Sequence, residues 1–135
     1  MDSFPVTTRR HHEMVDITRQ VSRIIAESKV IEGMAVVYSP HTTAGIAINE
    51  HCDPDVVHDA LLWMERQVPR IQPGFRHGEG NSDSHIKAIM TGASATLIVH
   101  KGAPVLGTWQ GIFFCEFDGP RTRTVHVQVL GEKAE

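Results

Sequence analysis

The sequence contains little cysteine and no long apolar run, and these two scarcities exclude several classes of protein. Its two cysteines, Cys52 and Cys115, lie far apart and form no Cys-x-x-Cys pair, which excludes a zinc ribbon or a dithiol redox motif and leaves free thiols. No apolar run approaches the roughly 20 residues that span a bilayer, and the start, MDSFPVTTRR, lacks the charged-then-apolar pattern of a signal peptide. We therefore expect a cytoplasmic protein that does not contact membranes.

Basic residues are also not in excess. The net charge of -3 gives no electrostatic reason to expect a nucleic-acid partner or an anionic membrane surface. With 41% hydrophobic and 21% charged residues, the composition is that of a globular protein. A chain of 135 residues is long enough for one compact domain and too short for two ordinary ones. The sequence therefore predicts a single domain over residues 1–135.

Hydrophobic periodicity and turn residues divide the chain into strands and helices. Strands are predicted at 4–10, 12–17, 33–40, 44–50, 95–100, 108–117 and 122–130, and helices at 17–28, from Pro54 to near Pro69 and at 85–90, with a long irregular loop at 70–84. The strands outnumber the helices and follow one another in hairpin-like pairs. We therefore expect an α+β fold with a mostly antiparallel, sandwich-like β-sheet, two main helices and one short helix.

Capping residues and apolar stripes support the helix predictions. Asp16 or Thr18 can cap the first helix, and Asp83 or Ser84 can cap the short helix, which Gly92 ends. The second helix is expected to bury a stripe at helical spacing, formed by Val57, Ala60, Leu61, Met64 and Val68.

The abundant residue is histidine, with nine copies scattered along the chain. His77 and His85 flank a glycine-broken loop that can bring both imidazoles to one ion, with His41 from a strand turn as a third ligand. Three imidazoles with an open position suit a divalent cation, zinc above all; the alternative is a surface loop that happens to carry histidines. His85 also falls at a helix start, where backbone N–H groups bind anions, so a phosphorylated substrate is a plausible partner.

Glu50 is the preferred candidate for proton transfer. It ends the alternating pattern GIAINE beside His51, Asp53 and Asp55, and such a density of acidic groups can raise the pKa of one carboxyl. Asp53 and Asp55 have another explanation as residues at the start of the second helix, where they complement the helix dipole. Glu50 has no such alternative role.

Two further features stand near the apolar strand GIFFCEF. Glu116 either leaves the core at the strand end or is buried with a partner, for which Arg121 or Arg123 would serve. Trp109 and Gln110 precede the strand, and an indole in such a place is more often core than a substrate platform.

Three blocks of sequence together closely resemble the YjbQ family, also called secondary thiamine-phosphate synthase enzymes. They are HTTAGIAINE, the run from His77 to Ser94 that contains H-x-EG, SHIKA and G-x-S, and SATLIVHKGAPVLGTWQGI from Ser94 to Ile112. The resemblance covers nearly the whole chain, and chance agreement with all three blocks is improbable. His51 departs from the family pattern, which has a small or amide residue there, so the resemblance gives His51 no site role.

The resemblance implies a compact α+β homotrimer with a polar pocket and weak thiamine-phosphate synthase activity. That reaction joins hydroxymethylpyrimidine diphosphate to a thiazole phosphate with loss of pyrophosphate. The positions that match the family motifs are His41, Glu50, Asp53, His77, Glu79, His85, Trp109, Gln110 and Glu116. We predict a catalytic role for Glu50, Glu79 and Asp53, a metal site at His41, His77 and His85, and substrate binding by Asn81, Ser84, Trp109, Gln110, Glu116 and Arg121.

The same residues leave two other functions open. A metal-dependent hydrolase or lyase acting on a phosphorylated metabolite would use the same histidines, with Glu50 or Glu79 activating a bound water. A non-catalytic protein that binds a small ligand would need only the pocket.

Overall fold

The computed structural model describes all 135 residues as an α+β fold built from eight strands and three helices. In chain order the elements are β1 Asp2–Thr7, β2 Glu13–Asp16, α1 Thr18–Ser28, β3 Val30–Tyr38, β4 Ala44–Glu50, α2 Pro54–Gln67, α3 Ser82–Thr91, β5 Ser94–His100, β6 Ala103–Pro104, β7 Gln110–Glu116 and β8 Thr122–Lys133. None of the three helices has the length together with the apolar composition that a membrane span requires. The expected class of fold, α+β with antiparallel sheets, is confirmed.

The strands form two sheets. Five strands pair in the order β1-β8-β3-β5-β6 and three in the order β2-β7-β4, and every neighbouring pair is antiparallel. In the smaller sheet, Ala44 pairs with Glu116 at one end and Glu50 pairs with Gln110 at the other. These two ends are therefore six residues apart along β4, which is about 20 Å of extended chain.

The main core lies between the two sheets and α1. Alternation places Val125 and Val127 of β8 inside, and the helical spacing of Val21 and Ile25 turns one face of α1 inward. Phe114 of β7 belongs to the same core. The opposite face of β7 contributes to a second, smaller cluster of Phe113, Cys115, Phe117 and Ala88. Burial raises the pKa of the Cys115 thiol to about 12, which makes it an inert core residue.

The N-terminal ends of the helices differ in how they are capped. Asp16 Oδ1 accepts from the backbone N–H of Thr18, and Asp53 accepts from the backbone N–H of Asp55, so both carboxylates satisfy helix starts. The expected cap of the third helix is wrong. That helix begins at Ser82, three residues before the predicted start at residue 85, and Asp83 and Ser84 are buried inside its first turn.

The third helix is also longer than expected: it has 10 residues, and α1 has 11. The expected stripe of α2 is buried only in part. Val68 is buried, whereas Val57, Ala60, Leu61 and Met64 are half-buried. This helix therefore covers the outer face of the small sheet loosely, and a groove is left beneath it.

Candidate functional site

A polar cleft of about 400 Å³ lies where three connecting segments meet beside the His41 end of the small sheet. We call it the histidine cleft; its lining residues are Pro40, His41, Thr42, Thr43, His77, Glu79, Asn81, His85, Asp118, Arg121 and Arg123, and none is hydrophobic. The segments are the β3–β4 turn, the loop leading into α3, and the β7–β8 turn. The cleft brings together six residues predicted from the sequence: His41, His77, Glu79, Asn81, His85 and Arg121.

The base of the cleft is a buried ion pair between Arg123 and Glu116. The Arg123 guanidinium donates from two nitrogens to the Glu116 carboxylate and also to Thr43 Oγ1 at 2.8 Å. Thr8 Oγ1 and the backbone N–H of Asp118 donate to the same carboxylate. Burial alone would raise the pKa of Glu116, but the hydrogen bonds from Arg123, Asp118 and Thr8 outweigh it and lower that pKa. Glu116 therefore stays ionised and holds Arg123 in place.

His41 forms one wall of the cleft. Its Nε2 accepts a hydrogen bond from the backbone N–H of Thr124 at 2.9 Å, and its ring meets the edge of Phe114 with centroids 6.3 Å apart. Burial and the nearby Arg123 charge lower the pKa of His41. The imidazole is therefore neutral at pH 7 with its proton on Nδ1, because Nε2 acts as an acceptor.

His77 and His85 form the opposite wall. Their ring centroids lie 5.3 Å apart and the ring planes are nearly perpendicular. His85 lies at the end of the first turn of α3, a rigid element, whereas His77 lies in the exposed loop at 68–81. The predicted fold-back of the segment HGEGNSDSH thus brings its two histidines together.

Asn81, Asp118 and Arg121 form the rim next to α3. The Asp118 carboxylate accepts from Asn81 Nδ2 at 2.8 Å and from the Arg121 guanidinium at 3.2 Å. Asn81 Oδ1 is buried and has no hydrogen-bond partner. Asn81 also occupies the N-cap position of α3 without making a side-chain cap. The helix therefore begins beside the cleft with backbone donors that no side chain satisfies.

The donors that could hold a metal ion are only partly assembled. No group of three or more His, Cys, Asp or Glu side chains is close enough to share one ion. Two imidazoles, those of His77 and His85, lie side by side, but His41 Nε2 is already committed to Thr124. A three-histidine site would need the third ligand to come through His41 Nδ1, or the loop that carries His77 to move.

Six other residues predicted to act at the site do not reach the cleft. Ser84 is buried and donates to the Phe117 carbonyl at 2.6 Å, and Glu116 lies beneath Arg123 with no exposed surface. Neither can contact a ligand. The remaining four lie at the opposite end of the small sheet: Glu50, Asp53, Trp109 and Gln110.

At that opposite end, local hydrogen bonds account for most of these four residues. Glu50 accepts from the backbone N–H of Asp53, and Asp53 caps α2. Gln110 accepts from the backbone N–H of Gly107. Trp109 is 62% exposed, so the expectation of a core indole is wrong. Within one chain, these residues are thus separated from the histidine cleft.

The sequence did not point to Asp118, and it gave Arg123 only as a partner for Glu116. A usable signal was present in EFDGPR, because a turn that directly follows β7 must lie at the same sheet end as the start of β4. Asp118 and Arg121 in that turn therefore had to lie near His41.

The fold and the cleft define the chain as an α+β protein with a small, ligand-sized cleft that is lined mainly by polar and charged side chains. Its sequence matches the family described as UPF0047 protein YjbQ-like over residues 2–132, and the chain belongs to this family. It is 51% identical to a UPF0047 protein of Methanocaldococcus jannaschii, over 96% of this chain and 94% of the relative. It is 47% identical to the UPF0047 protein YugU of Bacillus subtilis, over 97% and 99% of the two chains. The resemblance stated from the motifs is thereby confirmed.

Solved structures agree. A crystal structure described as an uncharacterized conserved protein of the YjbQ/UPF0047 family, from Clostridium acetobutylicum, superposes with a TM-score of 0.94 at 46% identity, over 96% of this chain and 100% of that chain. A conserved hypothetical protein from Thermus thermophilus gives a TM-score of 0.89 at 38% identity, over 96% and 100%. These descriptions report no activity, so family membership supports the fold and leaves the reaction to the chemistry of the cleft.

Proposed function

We propose that the histidine cleft binds the phosphate group of a small phosphorylated metabolite. The observation that carries the proposal is a cleft with no hydrophobic lining residue, placed at a helix start whose backbone donors have no side-chain cap. Helix N-termini favour anions through their free N–H groups and through the helix dipole. Arg121, whose side chain is half exposed, adds a guanidinium that can pair with phosphate oxygens.

The charge balance of the cleft favours a further positive group. Glu116 neutralises Arg123 at the base, so Arg121 contributes the remaining positive charge, and Glu79 and Asp118 contribute two negative charges. His41 adds none, because its lowered pKa keeps it neutral. A phosphate dianion is therefore attracted more strongly when His77 or His85 is protonated, or when a cation is bound beside them.

A divalent cation, zinc being preferred, is the second part of the proposal. His77 and His85 would hold it, with His41 as the third ligand after the local movement described above. A bound cation would offset the negative charges of Glu79 and Asp118 and so favour a phosphate group. The imidazoles suit zinc better than magnesium, which prefers oxygen ligands.

The reaction we propose is the thiamine-phosphate synthase type that the family resemblance implies. A ring nitrogen of the thiazole phosphate attacks the activated carbon of the pyrimidine diphosphate, and pyrophosphate leaves. The chain's own contribution is positioning: Arg121 and the start of α3 hold phosphate oxygens and stabilise the departing charge. Glu79, which lines the cleft, is placed to exchange a proton with a bound group, whereas Glu50 and Asp53 are too far away within one chain.

Formation of thiamine phosphate from the two phosphorylated substrates tests this reaction. The variant is His85→Ala, which removes the imidazole on the rigid wall, and the control is His100→Ala, an exposed histidine outside the cleft. We expect the first variant to lose most of the activity and the second to keep it. If the metal-supplemented protein forms no more product than His85→Ala, the transferase proposal fails. Calorimetric titration with pyrophosphate then shows whether the cleft binds phosphate groups without this chemistry.

Metal analysis of freshly purified protein tests the cation. We expect zinc or a similar ion near one per chain, falling in His77→Ala and His85→Ala and unchanged in His100→Ala. Less than about one metal per ten chains, in a preparation without chelators, contradicts an affinity typical of three imidazoles.

The homotrimer that the resemblance implies is also a proposal. An exposed apolar row on the outer face of the large sheet supports self-association. Met34 of β3 pairs with Ile98 of β5 and with Leu130 of β8, and the three side chains are 47%, 66% and 54% exposed. Light scattering of the native protein and of Met34→Glu measures the mass; we expect three chains in the first and fewer in the second. The cytoplasmic location expected from the sequence stays a prediction.

A further inference from the structure

A second cavity, of about 500 Å³, lies beneath α2 on the outer face of the small sheet. We call it the α2 groove. Five of its lining residues are hydrophobic, namely Met14, Val57, Leu61, Leu62 and Phe113, and the polar side chains of Arg10, His12, His58 and Glu65 also line it. His51 lies on its rim together with Asp16. The groove therefore places a hydrophobic surface beside an imidazole, at the sheet end opposite the histidine cleft.

The His51 imidazole is held by a chain of hydrogen bonds. Its Nδ1 lies 2.7 Å from Asp16 Oδ2. The other carboxylate oxygen of Asp16 accepts from the hydroxyl of Thr18 at 2.5 Å and from its backbone N–H at 3.0 Å. The Thr18 hydroxyl in turn accepts from the backbone N–H of Ile112 at 2.9 Å. The chain thus runs from the centre of β7 to the imidazole.

This arrangement determines the tautomer. Burial alone would raise the pKa of Asp16, but the hydrogen bonds from Thr18 and His51 outweigh it and lower that pKa, so the carboxylate is ionised at neutral pH. An ionised carboxylate can only accept, so His51 Nδ1 must carry the proton. In the neutral ring, Nε2 is then the free base.

Backbone packing fixes the ring as well. A Cβ built on Gly111 of β7 would overlap the His51 ring, so the imidazole lies directly against the backbone of the sheet. The backbone N–H of His51 donates to the Trp109 carbonyl at 3.0 Å. A catalytic base needs such a fixed orientation, with a third group behind it, as in serine hydrolase triads.

Another histidine–carboxylate pair lacks this support. His100 Nδ1 lies 2.8 Å from the Glu32 carboxylate, a similar distance, and Glu32 is about as exposed as Asp16, at 48% against 45%, but the His100 side chain is 55% exposed against 27% for His51. His100 lines neither the histidine cleft nor the α2 groove. This pair provides a matched control for an imidazole that has a carboxylate partner but lies outside the α2 groove.

We propose that His51 is the general base of a second site in the α2 groove, which hydrolyses small uncharged esters with an apolar acyl group. His51 Nε2 takes a proton from water as the water oxygen bonds to the ester carbonyl carbon. The bond from that carbon to the alcohol oxygen then breaks, and the imidazolium returns the proton to the departing alcohol. The products are a carboxylic acid and an alcohol, so water is the only co-reactant. Asp16 is a positioning residue that holds the tautomer.

The substrate class follows from the lining. The hydrophobic part of the lining can bind a short hydrocarbon group, and Arg10 and Glu65 carry opposite charges, so together they favour a substrate without net charge. The pair of His51 and Asp16 contains no hydroxyl, thiol or redox group, so we assign the imidazole to proton transfer, with water as the nucleophile that attacks the carbonyl. The site is independent of the histidine cleft, and its failure would leave the phosphate proposal unaffected.

Hydrolysis of p-nitrophenyl butyrate tests the proposal on the full chain. We expect the native protein to exceed an equal concentration of free imidazole, His51→Gln to lose about a hundredfold, the lower end for general acid–base catalysis, and His100→Gln to match the native rate. A native rate equal to that of free imidazole, or a His51→Gln rate equal to the native one, overturns the proposal. Equal losses in both variants overturn it as well.

Asp16→Asn tests whether Asp16 positions the His51 tautomer or only stabilises the fold. The same variant tests the proposal if His51→Gln does not fold. Histidine ring nitrogen shifts in NMR report the tautomer directly. We expect the native His51 to carry its proton on Nδ1 and the variant to lose this preference together with the hydrolysis. A variant that loses the tautomer preference but keeps the native rate contradicts the proposal, and so does a folded variant in which neither changes.

Discussion

The two ends of the small sheet both combine histidines with carboxylates, but they hold them differently. At the cleft end, the hydrogen-bonded support is the buried pair of Glu116 and Arg123, and the histidines stand above it. At the opposite end, His51 itself is the last member of the supporting chain that begins at Ile112. The ion pair supports the histidines of the cleft only from below, so their side chains can move when a ligand binds. The chain of hydrogen bonds at the opposite end instead fixes the imidazole of His51 itself. The cleft therefore suits binding and the groove suits proton transfer.

Removing the shared support should produce the largest effect on stability. In Arg123→Met, the Glu116 carboxylate keeps its burial but loses its cation, and breaking a buried ion pair in this way costs about 3–5 kcal/mol. Urea unfolding measures the change. Arg121→Met is the control, because that side chain is half exposed and a surface pair contributes less than about 1 kcal/mol. Similar losses of unfolding free energy in both variants would mean that the buried ion pair stabilises the protein no more than the exposed pair at the rim.

The second-largest loss of stability is expected from a side chain at Gly111, at the opposite end of the small sheet. The added methyl group of Gly111→Ala would overlap the His51 side chain, and overpacking of this kind costs about 1–3 kcal/mol. The cost should shrink in the His51→Ala background, where the ring atoms are gone, and a double-mutant cycle by urea unfolding measures that coupling. Gly78→Ala is the control, because a Cβ there meets nothing within 4 Å. Additive effects of the two substitutions would show that the ring does not rest on Gly111.

Acid should weaken the cleft end through Glu116. Its pKa in the folded protein is lowered from the ordinary value of 4.5, so the unfolded chain binds the proton more readily. The stabilisation by the ion pair is therefore complete above about pH 4.5 and is lost as the pH falls through the lowered folded pKa. Unfolding free energies across this range should fall less steeply in Glu116→Gln than in the native protein. Parallel pH profiles would assign the acid sensitivity to other groups.

Most of the fold could be predicted from the sequence, because periodicity and caps are local signals. The alternation of Val125 and Val127 predicts the inner face of β8, and the acidic start at Asp53 predicts α2. The start of α3 could not be predicted in this way. Asp83 and Ser84 look like caps, but their partners are Lys87 and the carbonyl of Phe117, and only the folded chain reveals the second contact.

The candidate site divides in the same way. His77 and His85 are close in sequence, so a folded-back loop was enough to predict their contact. The family motifs also assigned Glu50 and Trp109 to the same site. These two residues lie at the other end of the small sheet, because β4 and β7 each extend along its full length. The partner of His51 was missed because Asp16 lies 35 residues away and no spacing rule connects them.

The smallest stability change is expected where the cleft faces solvent, at His77. This residue lies in an exposed loop, so His77→Ala should alter the unfolding free energy by no more than about 0.5 kcal/mol. Its binding effect should nevertheless be large if the proposed cation site is correct, and calorimetric titration with zinc measures it. His58→Ala, an exposed histidine on α2, should change neither quantity. If His77→Ala binds zinc like the native protein, His77 is not a metal ligand. The cleft would then have to bind phosphate through Arg121 and the start of α3 alone.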